Sequence, residues 1–277
     1  MQETIPITTF LIHVMFNGGN PMASTTDLNL KTAIKLVDEV TAEIEPLKQT
    51  ITQHNASLDD VPDSNYLGFL AQGFKGKLGI ARESNALLHK CEQAISLASG
   101  VIITAKDARV LVKRDGEDVE VTPQEILAHS HLCKGVIFSF SDRYKDAETS
   151  FEESVKALPI ADARLRLAYA ILMQGERDRA IKAFQKVINE YPEAEEAVEA
   201  NRTLLEVEKI KPKRWKIALP LSIFLGWLGI DRFYLGYYKL GFIKLITIGG
   251  FYIWWIVDIL RILGNTLRDS NGLKLQK

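Results

Sequence analysis

The sequence predicts an all-α protein: a soluble body of helical hairpins, then a two-helix transmembrane hairpin, with one small β-hairpin near residues 109–121. Three observations predict it. Apolar residues recur at spacings of three and four through most of residues 27–210, the period of a helix with one buried face. A pattern of small, aromatic and proline residues repeats after 33 positions. From Lys209 onward the chain turns basic, apolar and aromatic, with twelve Lys+Arg against three Asp+Glu.

That charge split excludes one homogeneous globule. The whole chain is nearly neutral at −1, yet residues 1–208 carry 22 Lys+Arg against 32 Asp+Glu. An acidic body offers no basic face for phosphates, so nucleic acid is not an expected partner. The two cysteines, Cys91 and Cys133, are too few for a disulfide framework. They are expected to be buried and reduced.

Residues 1–26 are expected to be disordered or untranslated, with Met22 as an alternative start. Residues 27–121 form a helical domain that carries no recognisable motif and ends in the β-hairpin. Its first helix is expected over Asp27–His54, with Leu30, Ile34, Val37, Val40, Ile44 and Leu47 on one face. Pro46 is expected to kink it or end it early. A polar loop is expected over Asn55–Asn65, then helix from Tyr66 to about Ile103. Val110, Val112, Val119 and Val121 alternate around Asp115-Gly116, the pattern of two strands and a tight turn. Thr122-Pro123-Gln124-Glu125 then opens a helix with a capping box and a proline in its first turn.

Residues 122–210 read as stacked helical hairpins with a capping helix over Glu193–Ile210. Gly135, Tyr144, Ala147, Phe151, Ser154 and Pro159 are followed by Ala168, Gly175, Ala180, Phe184, Val187 and Pro192. Small residues at 135/168 and 147/180 allow close helix crossing, the phenylalanine fills the space between units, and the proline stops the second helix. This pattern over residues 127–192 resembles the tetratricopeptide family. The resemblance implies protein recognition through a groove lined by the first helix of each repeat. Here the expected lining is Val136, Ser139, Phe140, Tyr169, Leu172 and Met173. Family members that grip a peptide carboxylate use Lys and Asn where this chain has Leu132, Val136 and Tyr169, so that mode is not expected. An apolar helix or extended segment suits such a lining.

Residues 211–277 are expected to form the transmembrane hairpin and a short tail. The uncharged runs Ile217–Ile230 and Leu245–Val257 are shorter than the roughly 18–20 residues of a spanning helix. Phe233–Tyr238 extends the first, and Leu240–Leu263 extends the second, with Lys244 and Arg261 snorkelling from its ends. Trp227, Tyr234, Tyr237, Trp254 and Trp255 suit bilayer interfaces. The sequence Gly226-Trp-Leu-Gly-Ile-Asp-Arg-Phe-Tyr-Leu-Gly236, then Gly241, Ile253-Trp-Trp-Ile-Val-Asp258 and Asp269-Ser-Asn-Gly272, resembles the TM2 domain. That resemblance implies a two-helix membrane module whose connector motif is Asp231-Arg232-Phe233.

Basic residues at Lys209, Lys211, Lys213, Arg214 and Lys216, and at Arg268, Lys274 and Lys277, predict both termini in the cytoplasm and the connector outside. The membrane would be a plasma or bacterial inner membrane. The first cluster also suits anionic lipid heads. Asp258 needs a partner so close to lipid, and Arg261 at i+3 is the expected one. Asp231 and Arg232 form the other expected polar pair. Self-association through the hairpin is a further expectation.

No phosphate loop, nucleophile elbow or zinc signature occurs. His129-Ser-His131-Leu-Cys133 puts residues 129 and 133 on one helical face and 131 on another, which suits packing better than a metal. No enzyme, cofactor or metal is expected. The leading expectation is a membrane-anchored adaptor that recruits a protein partner. The alternative is a subunit of an oligomeric transport or permeability element. A ligand-binding role for residues 27–108 is a third reading.

Overall fold

A computed structural model describes residues 21–59, 66–105, 107–114, 117–246, 253–264, 266–270 and 272–276. The protein is mostly helical and forms two compact units, Met1–Ala163 and Arg164–Lys277.

In the first unit, α1 (Pro21–Asp59) pairs with α2 (Tyr66–Thr104). The six apolar residues expected on one face of α1 are all buried. Ala33 on α1 and Ala94 and Ala98 on α2 are fully buried, which lets the two backbones approach closely. Lys90 of α2 reaches both Glu39 and Glu43 of α1, at 3.1 and 3.0 Å. Pro46 lies inside α1 and does not end it early. Proline removes the hydrogen bond to the carbonyl of residue 42, but Pro46 and Ala42 are both exposed, so water can serve that carbonyl. The helix also runs on to Asp59, so Asn55–Asp59 is not loop; residues 60–65 lie outside the described residues. At the other end, α1 starts at Pro21, six residues inside the stretch expected to lack structure. Residues 1–20 lie outside the described residues.

The β-hairpin is as expected. Strands β1 (Val110–Arg114) and β2 (Glu117–Val121) pair antiparallel, with Val110 opposite Val121 and Val112 opposite Val119. The turn at Asp115-Gly116 lies outside the described residues. Val110, Val112 and Val121 face a core shared with Leu30, Ile34, Ala94 and Val101, while Leu111 points to solvent. The period-two alternation thus seals one end of the helix pair.

Helix α3 (Pro123–Phe140) opens with the expected capping box: Glu125 N donates to Thr122 Oγ1, and Thr122 N donates to Glu125 Oε2. It packs on α4 (Tyr144–Ala157). The Phe151 ring lies directly over Gly135, where an added Cβ would meet ring atoms at 2.5 Å. Ser154 Oγ, fully buried, donates to the Ala128 carbonyl at 2.7 Å and so ties the two helices at a second level.

The second unit begins in α5 (Ala161–Met173) and continues through α6 (Arg177–Glu190) and α7 (Glu195–Lys209). Ala168, Ala180, Phe184 and Val187 are fully buried, as their counterparts in the first repeat predict. The turn before α6 places Gly175 at φ +74°, and the turn before α4, 33 residues earlier, places Asp142 at φ +56°. One left-handed residue per repeat closes each hairpin. The Arg177 guanidinium donates to the carbonyls of Val207 and Glu208 and so caps the end of α7.

The remainder of this unit departs from the expected pair of long helices. Among the described residues no helix is long and apolar enough to cross a membrane. The first expected span divides into α8 (Trp215–Leu225), a 3-10 turn (Gly226–Leu228) and α9 (Ile230–Leu235). The second divides into α10 (Tyr238–Ile246) and α11 (Ile253–Leu263). Residues 247–252, including Gly249-Gly250 and Tyr252, lie outside the described residues. The physical cause of the first break is local. Gly229 and Gly236 adopt φ of +75° and +91°, and each turns the chain. Gly229 has a further reason to be glycine, since a Cβ there would lie 2.6 Å from the Gly241 carbonyl oxygen.

Candidate functional site

The four short helices of residues 215–263 close around charge. Asp231 and Asp258 are fully buried, Lys244 is 1% exposed and Arg232 is 5% exposed. Two carboxylates meet two cations, so the cluster is formally neutral. Asp231 lies in the first turn of α9, and its Oδ1 accepts from the Arg232 backbone N–H at 2.9 Å. Ser222 Oγ of α8 donates to Asp231 Oδ2 at 3.2 Å. The Arg232 guanidinium faces Asp258 of α11 in a paired geometry, with Nε donating to Oδ2 at 3.0 Å and Nη2 donating to Oδ1. Lys244 Nζ of α10 bridges the two acids, at 2.9 Å from Asp231 Oδ2 and 2.9 Å from Asp258 Oδ2.

An isolated charge away from water is costly, so buried ions persist where they are paired and hydrogen-bonded. Here the donors and acceptors come from all four helices, so the network also specifies how those helices pack. It corrects three expectations. Asp258 does not pair with Arg261, which is exposed; its partners are Arg232 and Lys244. Asp231 and Arg232 are not a side-chain pair; their charged groups go to Lys244 and Asp258 respectively. Lys244 does not snorkel outward but is the hub of the interior.

Aromatic donors lock the helix ends. Trp215 Nε1 donates to the Ile262 carbonyl at 2.8 Å, joining the start of α8 to the end of α11. Trp255 Nε1 donates to the Ser222 carbonyl at 2.6 Å, joining the start of α11 to the end of α8. The Arg214 N–H donates to Tyr234 Oη, and Tyr237 Oη donates to the Asp269 carbonyl. Phe233, the third residue of the connector motif, packs edge-on against Phe242 and lies over Gly241. The outward surface is apolar: Ile217, Phe224, Phe242, Ile246, Ile256 and Leu260 are all exposed, Phe224 at 74% and Ile246 at 79%.

The C-terminal tail binds this module to the second repeat. Lys274 N donates to the Gly175 carbonyl at 2.9 Å, and Lys274 Nζ meets Glu176 Oε1 at 2.7 Å. Arg268 Nη1 donates to the Met173 carbonyl. Gln276 exchanges backbone bonds with Lys213 and Trp215. Lys274, with Arg179 after it, holds the Glu176 carboxyl below its usual range. Of the expected lipid-facing cluster, Lys209, Lys211, Arg214 and Lys216 are exposed, while Lys213 lies over the Tyr234 ring.

The residues expected to line a repeat groove stand as follows. Val136 is buried, and Ser139 and Phe140 are half-buried. Leu172 is half-buried, and Met173 is 40% exposed. Tyr169 packs edge-on against Phe184, and its hydroxyl donates to Glu199 and lies 2.8 Å from Thr203 Oγ1. Burial, the largest cause, pushes the Tyr169 phenol up to about 12. On α3, His129 Nδ1 donates to the Glu125 carbonyl, and burial lowers the His131 pKa. Cys91 and Cys133 are buried, and burial drives the Cys91 thiol up.

The fold and site define a class: a helical-repeat body whose second unit ends in a compact four-helix module with an apolar exterior and a neutral ionic core. Comparison with known families agrees. The chain carries a TM2 domain, whose family model matches residues 211–260, and a tetratricopeptide repeat, matched over residues 162–194. It is 54% identical over 52 residues to a TM2 domain-containing protein of Caenorhabditis elegans, covering 19% of this chain and 29% of that protein. It is 47% identical over 58 residues to human TM2 domain-containing protein 1, covering 21% and 28%. It is 44% identical over 59 residues to the Drosophila melanogaster TM2 domain-containing protein almondex, covering 21% of each. The chain thus spans about a fifth to three-tenths of the length of these relatives. The TM2 match associates the chain with membranes, and the repeat match associates it with protein interaction. Neither family is enzymatic.

Proposed function

We propose that this protein is a non-catalytic, membrane-anchored adaptor. Its TM2 domain seats in lipid, and its tetratricopeptide-like residues 122–210 recruit a protein partner on the cytoplasmic side of a plasma or bacterial inner membrane. One observation supports the anchor above others. The module of residues 215–263 turns apolar side chains outward and buries its four paired charges. Water-soluble surfaces rarely expose contiguous apolar area on that scale, and ions at membrane depth are expected to face inward and pair. The basic residues around Lys209–Lys216 suit an anionic cytoplasmic leaflet.

Recruitment would use the exposed end of α5. Met173 is the exposed member of the expected lining, and a charge there does little to the packed core. The test compares partner capture by the full-length chain and by Met173→Glu, cross-linked in membranes before solubilisation. Loss of specific cross-links with an unchanged melting temperature supports the adaptor; an identical cross-link pattern removes this surface from it.

The buried ions also favour a second reading, a transport or permeability element assembled from several copies. Four helices whose ions are already paired offer no open path, so this reading needs an oligomer. Ion or proton flux above background in vesicles holding the purified chain would support it, and flux at background would end it.

A further inference from the structure

Helix α7 has two faces. Ala197, Ala200, Leu204 and Val207 are buried, as the inner face of a capping helix should be. The outer face carries an apolar stripe that this packing does not require. Val198 is 70% exposed and Leu205 is 53% exposed. Two turns apart, they lie on one line of the helix about 10 Å long. Arg202 stands between them, and by helical spacing the exposed Glu195, Glu206 and Glu208 border the line. The helix as a whole carries five Glu against Arg202 and Lys209.

This stripe stands close to the TM2 domain. Residues 210–214 alone separate α7 from α8, and they span at most about 20 Å. The end of α7 is also held through the second repeat. The Arg177 guanidinium donates to the Val207 and Glu208 carbonyls at 3.1 Å each, and the nearby Gly175 carbonyl accepts from Lys274 of the tail. Gln276 of that tail pairs with Lys213 and with Trp215, the first residue of α8. Leu205 is ten residues and Val198 seventeen residues before Trp215. Membrane proteins gather Lys and Arg on the cytoplasmic side within about 15–20 residues of their spans, so their juxtamembrane segments reach the same interval.

We propose that the outer face of α7 docks the basic, amphipathic juxtamembrane segment of a second membrane-embedded protein. This rests on the adaptor reading above and names the class of partner it recruits. Apolar side chains one heptad apart on the incoming helix cover Val198 and Leu205. Its Lys and Arg side chains face Glu195, Glu206 and Glu208. The border selects the sign of the partner, since an acidic segment would meet like charge there, which costs affinity and slows encounter. A partner held in the same bilayer is already confined near this face. A small apolar contact then suffices where two freely diffusing proteins would need a larger one.

Photocross-linking of the full-length chain in neutral phosphatidylcholine vesicles tests it. Asn201 is exposed beside the stripe, so Asn201→Cys can carry a benzophenone. Cys91 and Cys133 are buried, and the unmodified chain serves as the blank. The probes are single-span polyleucine peptides that continue into a helix with Leu at heptad spacing and either Lys or Glu at the other positions. The Lys peptide should cross-link about tenfold better than the Glu peptide. Val198→Ser with Leu205→Ser should abolish that yield, and Glu206→Lys with Glu208→Lys should invert the preference. All four positions are on the surface, so the melting temperature should not move. Equal or greater yield with the Glu peptide overturns the proposal, as does an unchanged result in either double variant. Equal capture of the Lys helix without its span also overturns it, as does cross-linking to lipid or to a second copy alone. If no peptide is captured while Met173→Glu still loses specific cross-links, this face is wrong and the adaptor reading stands. Release of the unmodified chain from membranes by alkaline carbonate removes the anchor itself.

Discussion

Arg232 and Asp258, 26 residues apart in the chain, meet in a paired guanidinium–carboxylate geometry inside the TM2 domain. Arg232 sits in the six-residue α9 and Asp258 in the middle of α11, so the pair fixes a short helix against a longer one. Lys244 bridges Asp258 to Asp231, which makes the neutrality of the cluster a shared property.

That sharing predicts non-additive mutants. Removing one partner of a buried ion pair costs about 3–5 kcal/mol, because the other is left uncompensated. Asp258→Asn should destabilise the module by about that amount. Asp258→Asn with Lys244→Met removes one charge of each sign and should recover much of the loss. Thermal unfolding of the full chain in detergent measures both; a double variant worse than the sum of its parts would contradict a shared neutral cluster.

Gly135 predicts a second coupling, in the helical body. A Cβ at 135 would stand 2.5 Å from the Phe151 ring, and the ring is fully buried with nowhere to retreat. Overpacking of this kind costs about 1–3 kcal/mol. Gly135→Ala should lower the melting temperature, and Gly135→Ala with Phe151→Leu should lose less than the two changes added together. Additive losses would mean that the clash is relieved elsewhere.

The Glu176–Lys274 pair predicts a pH dependence of tail docking. Lys274, then Arg179, holds the Glu176 carboxyl below the usual carboxylate range. A carboxyl with a depressed folded pKa adds stability above its unfolded pKa and loses it as pH falls through the folded one. Protection of the Lys274 amide, which donates to Gly175, should therefore decline in that acidic window. In Glu176→Gln the amide should be less protected at neutral pH and should show no such step. Hydrogen exchange at the tail, followed from neutral to acidic pH, reads this directly; the same step in both proteins would assign it to another group.

The helical body was legible because its signals are local. Six apolar positions on α1, the alternating valines of the β-hairpin and the Thr122–Glu125 capping box each involve residues close in sequence. The repeat pairs Ala147/Ala180 and Phe151/Phe184 were legible for a related reason, since a recurring unit reports its own packing. The TM2 domain was legible as a motif but not as a shape. Gly229 and Gly236 stand in the Gly226–Gly236 motif, and only their positive φ shows that they are turns. Lys244 read as an interfacial cation because it stands near one end of an apolar run. One signal could have found its role: the two acids in residues 231–258, Asp231 and Asp258, each need a cation inside an otherwise apolar stretch, and Lys244 stands between them.

The sequence by itself determined the element types, the repeat, the small residues that permit close packing, and the inventory of charges in the apolar segment. Propensity, periodicity and turn chemistry act over a few residues, so one chain suffices to read them. Only the tertiary structure decided that Asp258 belongs with Arg232 and Lys244 rather than Arg261, that Tyr234 meets the backbone at Arg214, and that the tail threads onto Gly175. Those outcomes depend on which distant groups meet when burial makes an unpaired charge or an unsatisfied backbone bond costly, and spacing along the chain does not carry that information.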